Sequence, residues 1–486
     1  MTTPSQASSR QTQHHQPVLL RSATVVDTRD GTLTRETDVL VRGGNITEVG
    51  LNIDVKGIQG LQTIDARGLY AVPGYNDMHG HPLGQSLRHQ TRDLKLLLAH
   101  GVTGFRQMSG SIKLLRDRAD GALGLPESGP ALLATPGPLL ITPLNAATEE
   151  QAVATVREQY DAGADFIKVA MVTPDVFFAA QAEALRLGLP IVGHLPAGID
   201  VLKASRLGMK SIEHLGPGVG LFACCSTERT HVEQGAGGRA AIKVPPFKLP
   251  FMEQIMGRVV KKLVVNPINR SNPDEVKRLR RAADSFDEDL ARKLAERFVA
   301  DGTWQVPTLI RVKTQQLCDD PDFAEDPALR LMDPGTVKGW KKAAAKFSEF
   351  PAETRATFRT LYEQQLRLTG IFDEAGVPML AGSDCSGAAW VVPGRSLHQE
   401  FDELGSAGVS PLRVLQMATL RAAEFLGRTA TMGTVAPGRN ADLVLLDADP
   451  LESVQNLHRI AGVVRAGRHY SSADLTALKE RAATEA

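Results

Sequence analysis

The fold is indicated by one stretch near the start of the chain, Val72-Pro73-Gly74-Tyr75-Asn76-Asp77-Met78-His79-Gly80-His81. Residues i and i+2 of an extended strand point to the same side, so His79 and His81 are predicted to face one point. Parallel barrels carry their catalytic groups at the C-terminal ends of their strands. We therefore interpret this stretch as the first barrel strand, with the two histidines at its mouth.

The middle of the chain alternates short apolar strands with amphipathic helical patterns. The strand candidates are Leu69–Gly74, Gly101–Gln107, Ala131–Leu140, Phe166–Met171, Pro190–His194, Ser211–His214, Val306–Leu309 and Pro378–Ser383. Strands separated by helical crossovers favour an α/β fold, a closed (β/α)8 TIM barrel, over an open doubly wound sheet. No glycine loop of the GxGxxG or GxxxxGK[ST] type follows an early strand, which weighs against a nucleotide-binding fold.

The sequences at both ends of the chain contain short strand patterns. These patterns predict a small composite β-sandwich domain formed by both ends. We expect its N-terminal strands to form an antiparallel unit. The predicted divisions are a disordered tail (1–17), the composite sandwich (18–70 and 421–475), the barrel (71–420) and an insertion within it (about 217–285). The insertion includes the basic run Arg258–Lys262 and a helical segment, Asp274–Asp284. The charges of this segment favour a solvated surface helix. The alternative interpretation is a lid over the active site.

Composition excludes several classes of function. The 486 residues carry 55 Lys+Arg and 55 Asp+Glu, so the formal net charge is zero. A partner such as nucleic acid or an anionic membrane surface would require a net basic face, and the charge balance argues against both. No run reaches the ~18 apolar residues that span a bilayer. The four cysteines are too few and too irregular for a disulfide framework. We expect a soluble, cytoplasmic protein.

Lys168 lies inside an apolar strand candidate, Phe166–Met171. An unpaired buried ammonium group is costly, so this lysine requires an explanation. One interpretation is that its amino group reaches solvent or pairs with a carboxylate. The other is that CO2 converts it into an anionic carbamate whose two oxygens could bridge two metal ions. The surrounding histidines favour the second interpretation.

His194, His214 and Asp384 each end an apolar strand candidate. Taken singly, such a histidine is more often a structural residue, and such an aspartate often caps the next helix. Together with the two histidines of the first strand, they indicate one cluster at the mouth of the barrel. Asp384 would be placed to act as a metal ligand and as a general base.

Imidazole and carboxylate are the ligands that suit Zn²⁺ and its neighbours Co²⁺, Mn²⁺ and Fe²⁺. One such ion lowers the pKa of its water towards ~7, and two ions ~3.5–4 Å apart hold a bridging hydroxide while polarising a carbonyl group. The cluster therefore predicts metal-dependent hydrolysis.

These residues stand within longer motifs that resemble the amidohydrolase superfamily, in its branch of imidazolonepropionase-like proteins and metal-dependent dipeptidases. The resemblance runs from about Val18 to Gly467. The motifs that carry it are Asp65–Leu69, His79-Gly80-His81, Gly101–Thr103, Gly163–Lys168, Ser211–His214, Gly302–Leu309, Ala381–Asp384, Pro393–Glu400, Ala418–Leu420 and Gly438–Leu443.

The resemblance implies a binuclear centre and a hydroxide that attacks an amide carbon. Its implied ligands are His79, His81 and Asp384 on one ion, His194 and His214 on the other, and carbamylated Lys168 as the bridge. Asp384 is the implied catalytic residue, which takes the proton of the nucleophile and passes it to the leaving nitrogen. The expected cofactors are two divalent ions, zinc first, with cobalt, manganese or iron as alternatives.

We expect the substrate to be a small-molecule amide, an N-acyl amino acid or a dipeptide-like compound with a C-terminal carboxylate. Arg395 and His398 are candidates for binding that carboxylate, although both also fit an ordinary helix over Ser396–Leu404. Aryl amides, phenylureas and carbamates are alternative substrates within the same class, and phosphotriesters are a minor one. An alternative from another class is a non-catalytic barrel scaffold, which the full ligand set disfavours. We also expect a homo-oligomer.

Overall fold

The computed structural model of the protein describes residues 16–234 and 264–485, apart from Gln85, Pro143 and Ala197. Most of the predicted tail and the basic run Arg258–Lys262 lie outside these described residues. The strands are β1 (Val18–Val26), β2 (Leu33–Arg42), β3 (Asn45–Gly50), β4 (Gln62–Asp65), β5 (Tyr70–Pro73), β6 (Tyr75–Gly80), β7 (Val102–Gln107), β8 (Ala131–Ala134), β9 (Leu140–Ile141), β10 (Ile167–Met171), β11 (Ile191–Gly193), β12 (Ser211–Glu213), β13 (Trp304–Val306), β14 (Leu443–Leu446), β15 (Ile460–Arg465) and β16 (Arg468–Ser471).

Helices cover most of the remaining described residues. The α-helices are α1 (Leu87–Ala99), α2 (Ile112–Ala119), α3 (Glu149–Asp161), α4 (Pro174–Arg186), α5 (Val201–Arg206), α6 (Gly220–Cys224), α7 (Arg229–Glu233), α8 (Pro273–Asp284), α9 (Glu288–Asp301), α10 (Leu309–Gln316), α11 (Pro321–Glu325), α12 (Pro334–Ser348), α13 (Ala352–Glu374), α14 (Arg395–Ser406), α15 (Pro411–Ala418), α16 (Leu420–Phe425) and α17 (Ser472–Thr484). Short 3-10 helices cover Pro267–Arg270, Pro327–Leu331 and Val454–His458.

Strands from both ends of the chain form one mixed sheet. In the described residues this sheet has eight strands in the order β16-β15-β14-β5-β1-β2-β3, with β4 paired to β1. The predicted antiparallel N-terminal unit is confirmed, because β1 runs antiparallel to β2 and β2 antiparallel to β3. The parallel pairing of β4 and β5 with β1 makes the whole sheet mixed. One face of the sheet buries apolar side chains that include Leu20, Val39 and Leu443. The boundaries of the composite domain stay a prediction.

The barrel strands form two parallel sheets that meet at both edges. One sheet has the order β6-β7-β8 and the other β13-β12-β11-β10-β9. On one side, residues 378–384 join them. The amide of Gln305 in β13 donates to the carbonyl of Pro378 at 2.9 Å, and the amide of Met78 in β6 donates to that of Ala381 at 3.0 Å. The other side is joined where the Asp165 amide donates to the carbonyl of Thr135 at 3.1 Å. The α/β barrel prediction is confirmed.

The first barrel strand begins later than predicted. Tyr70–Pro73 is β5 of the mixed sheet, and the barrel strand is β6, so the prediction of Leu69–Gly74 as a barrel strand is wrong. Gly74 separates the two strands, and a Cβ atom there would lie only 2.1 Å from Oγ1 of Thr103. The glycine therefore lets the chain pass from one sheet to the other within a single residue.

The seventh barrel strand also differs from its prediction. It covers Trp304–Val306, whereas Val306–Leu309 was expected to be extended. Pro307 and Thr308 turn the chain instead, and Thr308 has a φ of +46°, in the left-handed region. Leu309 is the first residue of α10, so the apolar run continues as a helix rather than as a strand.

The helices follow their predicted patterns closely. The patterns at Glu149–Ala162 and Asp175–Leu187 correspond to α3 and α4. In α8 the exposed side of the helix carries the charges, and Arg280 pairs with Asp284 at 2.7 Å. Its buried side consists of small and apolar residues such as Leu279. These contacts agree with a solvated surface helix. Among the helices of the described residues, none has the length and apolar composition needed to cross a membrane.

Asp77 ties the segment 378–384 to the first barrel strand. This segment, predicted as the strand Pro378–Ser383, forms only an isolated bridge, between Met379 and Gln305 of β13. Its buried carboxylate accepts hydrogen bonds from the Ser383 amide at 3.0 Å, the Ser383 hydroxyl at 2.5 Å and the His79 amide at 3.2 Å. Burial raises the pKa of this carboxyl group, with the bonds from Ser383 and His79 opposing the rise. The side chain thus joins two strand ends that carry predicted site residues.

We expect Asp77→Ala to lower the free energy of unfolding by about 2–4 kcal/mol, because it leaves buried donors without an acceptor. Asp77→Asn keeps one acceptor oxygen and should lose less. Chemical denaturation of both variants measures the difference, with the exposed Asp54→Ala as the matched control. Native-like stability of Asp77→Ala would show that this contact does not hold the strands together.

Candidate metal centre

Six predicted site residues lie in, or directly after, the segments that form the wall of the barrel. His79 lies in β6 and His81 just after it, Lys168 lies in β10, and the other histidines directly follow β11 and β12. Asp384 follows the strand segment that closes the barrel, and its amide donates to the carbonyl of His79 at 2.7 Å. The order of the strands therefore places these side chains at a common mouth.

His79 is oriented by a buried carboxylate. Its Nδ1 lies 2.6 Å from Oε2 of Glu213, and Glu213 also accepts a hydrogen bond from Arg106 at 2.9 Å. With Nδ1 engaged, Nε2 faces the cluster, 3.3 Å from Oδ1 of Asp384 and 3.0 Å from Nζ of Lys168. Holding one ring nitrogen on a carboxylate is the usual way in which proteins aim the other nitrogen at a metal ion.

His81 and Asp384 complete a compact group of donor atoms. Nδ1 of His81 lies 2.7 Å from the hydroxyl of Ser109, and its Nε2 lies 3.0 Å from Oδ1 of Asp384. The ligand atoms of His79, His81 and Asp384 all lie within 4.8 Å of one another. This spacing is compatible with a single ion between them.

Lys168 is buried and points into this group. Its amino group lies against Nε2 of His79, and burial lowers the pKa of Lys168 to about 8, although Glu213 and Asp384 oppose the shift. A lowered pKa increases the neutral fraction of the amine near pH 7. The neutral amine is the form that reacts with CO2, so the site favours the carbamate interpretation chemically.

His194 and His214 lie beside the first group. The ring centroids of His214 and His79 are 4.5 Å apart, and those of His194 and His214 are 5.2 Å apart. Nδ1 of His214 lies 2.5 Å from the hydroxyl of Thr308. Burial lowers the pKa of His194 to about 3 and that of His214 well below its ordinary value. Both rings are therefore neutral near pH 7 and keep a lone pair for a metal ion.

The carboxylates of the cluster stay ionised despite their burial. Burial alone would raise the pKa of Glu213, but Arg106 and His79 bring it below its ordinary range. Burial would likewise raise the pKa of Asp384, whereas His214, His79 and His81 hold it well below its usual value. Two buried anions beside neutral imidazoles make the mouth attractive to cations.

Sequence motifs do not reveal the role of three residues of this site. Glu213 lies within the motif that ends at His214, and no motif singles out Arg106 or Arg311. Nε of Arg311 donates to Oδ2 of Asp384 at 3.1 Å. A charged residue inside an apolar stretch, as Arg106 is within β7, was the available signal.

The structure does not bring Arg395 or His398 to the cluster. Arg395 is the first residue of α14 and pairs loosely with Asp326, at 3.7 Å. His398 is buried, and its Nε2 lies 2.9 Å from the backbone carbonyl of His100. Its ring packs against Tyr75, at the start of β6 and thus at the opposite end of that strand from the cluster. The substrate-binding role of Arg395 and His398 stays a prediction.

Comparison with known proteins finds likenesses to amidohydrolases. Residues 335–469 match the model of the amidohydrolase family. The imidazolonepropionase of Shouchella clausii is 31% identical over 103 residues, which cover 20% of this chain and 22% of that protein. The matched segments thus span about a fifth of this curated relative, so they describe a part of the chain and not a whole enzyme.

Solved structures extend the likeness to the whole fold. Bottromycin amidohydrolase superposes with a TM-score of 0.68 at 23% identity, covering 97% of this chain and 91% of its own. A Xaa-Pro dipeptidase with methionine bound in its active site gives a TM-score of 0.59 at 18% identity, with 94% and 100% covered. The resemblance to the amidohydrolase family is confirmed in sequence over residues 335–469. The solved structures show that the fold is shared over nearly the whole chain.

The donor set fits the divalent ions that this superfamily uses. Imidazoles, an aspartate of lowered pKa and a lysine of lowered pKa converge on one mouth, and His79, His81 and Asp384 form a group spaced for metal ligation. Nitrogen and oxygen donors of this kind are those that zinc and its neighbours prefer. The residues present therefore fit a metal centre.

The buried histidines near α14 yield a pH prediction. Burial lowers the pKa of His100 to about 3. Below its ordinary pKa of 6.5, the unfolded chain binds a proton that the folded chain does not, so stability falls as the pH decreases. At pH 5 this residue alone should lower the free energy of unfolding by about 2 kcal/mol.

We expect His100→Gln to flatten the decline in unfolding free energy between pH 7.5 and pH 5. Denaturant titrations at several pH values measure this slope, and the exposed His231→Gln serves as control. Parallel pH profiles of the native protein and His100→Gln would contradict the assignment.

Proposed function

We propose that this protein is a metal-dependent hydrolase that cleaves a C–N amide bond in a small molecule. The observation that carries the proposal is the convergence of four imidazoles, one lysine and one carboxylate at the mouth of the barrel. His79 and His81 each have one ring nitrogen held by the protein and turn the other toward this cluster. A non-catalytic scaffold would have no need for this arrangement of buried donors, which are costly to desolvate.

Two divalent ions are the proposed cofactors, with zinc as the expected metal. The residues proposed to hold them are His79, His81 and Asp384 for one ion, His194 and His214 for the other, and Lys168, as its carbamate, between them. Such ions supply Lewis acidity towards a carbonyl oxygen and a nucleophilic water at neutral pH.

Asp384 is the proposed proton carrier. It is ionised, because the neighbouring histidines hold its pKa well below the usual value, and it is at the edge of the cluster with 8% of its surface exposed. We propose that it accepts the proton of the attacking water and delivers it to the leaving nitrogen. Glu213 keeps His79 oriented while this happens, since its carboxylate stays ionised against Arg106.

The proposed substrates are N-acyl amino acids or dipeptide-like compounds. Support comes from the likeness to a dipeptidase that binds methionine in its active site. Support also comes from the partial match to imidazolonepropionase. A homo-oligomeric state and a cytoplasmic location stay predictions.

A substrate panel tests the proposed class. Metal-replete protein should release amine from some member of a set of N-acetyl amino acids and dipeptides, and lose this activity on chelation. Anilides, phenylureas, carbamates and carboxylate esters belong in the same panel. Turnover confined to the ureas or esters would overturn the peptide-like substrate, and a protein that neither binds metal nor turns over any member would favour the scaffold.

Lys168→Ala should lose most of its bound metal and its activity, because it removes the proposed bridging ligand. Elemental analysis of the purified variant measures the loss. Short carboxylates such as formate or propionate should partly restore activity by occupying the vacated position. Full metal content and activity without rescue would remove the carbamate from the mechanism.

Asp384→Asn should keep the fold and lose about 10²–10⁴-fold in kcat, the range typical for removal of a general base. The asparagine tolerates the φ of +58° at this position, so circular dichroism should be unchanged. Turnover close to that of the native protein would assign proton transfer to another group.

A further inference from the structure

The two oxygens of Asp384 face different partners. Oδ1 lies 3.0 Å from Nε2 of His81 and 3.3 Å from Nε2 of His79, on the side of the metal group. Oδ2 lies 3.1 Å from Nε of Arg311 and accepts its hydrogen bond. One oxygen is thus available to the cluster while the other is engaged by a cation.

Arg311 is buried, and its Nε lies between Oδ2 of Asp384 and the side-chain amide of Gln315. Only 3% of its surface is exposed, and burial lowers its pKa while Asp384 opposes that shift. Its Nη2 donates to the backbone carbonyl of Val264 at 2.6 Å, which fixes the far side of the guanidinium group. Within the described residues, its ion-pair partner is Asp384. A planar guanidinium held at both sides restricts the orientation of the carboxylate more tightly than an ammonium group would.

The backbone around Arg311 is itself held in place. Arg311 lies in the first turn of α10, and the amide of Ile310 in the same turn donates to Oε2 of the buried Glu400 at 2.8 Å. Thr308, directly before the helix, binds His214 through its hydroxyl. The start of α10 is therefore anchored to α14 through Glu400 and to the cluster through His214.

We infer that Arg311 is a positioning residue that holds Oδ2 of Asp384 and thereby keeps Oδ1 directed at the metal group. It acts on the centre through Asp384 and touches neither the imidazoles nor the lysine in the contacts described here. The inference rests on the proposed metal centre, but it is independent of which amide is the substrate.

Two opposing effects make the experiment decisive. Loss of a partner that orients a metal ligand commonly weakens metal affinity by about 10–100-fold. Loss of a positive charge close to the site would instead strengthen the binding of a cation. The sign of the change in affinity therefore separates positioning from simple charge repulsion.

Co²⁺ binding to the metal-free full-length protein provides the readout, followed by calorimetry and by the visible absorption of the bound ion. We expect Arg311→Met to weaken Co²⁺ binding by about 10–100-fold and to change the absorption spectrum. Arg311→Lys keeps a charged donor and should recover part of the affinity. Tighter or unchanged binding by Arg311→Met would overturn the inference.

A double-mutant cycle tests whether the effect passes through Asp384. Asp384→Gly suits the left-handed backbone and removes both oxygens. In that background Arg311→Met should change Co²⁺ affinity by less than about threefold. An equally large loss in both backgrounds would show that Arg311 acts by another route and would overturn the inference.

Arg413→Met is the matched control. Arg413 pairs with Asp373, with 2.9 Å between Nη2 and Oδ1, and this ion pair does not include any residue of the cluster. It should leave Co²⁺ affinity and spectrum unchanged. The substrate panel decides the proposed function separately. Native protein that binds Co²⁺ but hydrolyses no amide would refute the function, while the cycle would still decide the role of Arg311.

Discussion

The buried contact of Glu213 with His79 and Arg106 is the interaction on which the site depends. The three side chains come from β12, β6 and β7 and are fully buried, so the contact spans the inside of the barrel. An isolated carboxylate at this depth would be strongly unfavourable, and its two partners offset that penalty. Arg106 also donates to the carbonyl of Met78, next to His79 in the chain. The strand that carries His79 and leads into His81 is thus bound by charge to β7 and β12.

The same design recurs around the cluster. His81 has Ser109, His214 has Thr308, and Asp384 has Arg311 as a fixed neighbour. In each case one polar atom of the proposed ligand is held by the protein, so that another is left facing the mouth. Supporting contacts of this kind orient a ligand before the metal arrives, which reduces the entropy lost on binding.

Sequence patterns predicted the barrel and the residues that meet at its mouth, because strand ends and their polar residues are local features. The pairing of the supporting residues could not be predicted, because Glu213 and Arg106 meet only after folding, 107 positions apart. Residues 307–309 look extended in sequence, yet the turn at Thr308 starts a helix. The buried position of His398 could not be predicted for a related reason. Its imidazole stacks on Phe401 on the buried face of α14, a contact that depends on how the helix packs.

The single-residue junction at Gly74 links the two ends of the chain to the chemistry. The strand that carries His79 begins directly after this glycine, and β5 on its other side lies between β1 and β14. No flexible linker separates the sheet built from the termini from the first barrel strand. Shortening the protein at either terminus would therefore remove neighbours of β5, and the disturbance would reach the proposed ligands although they lie far away in sequence.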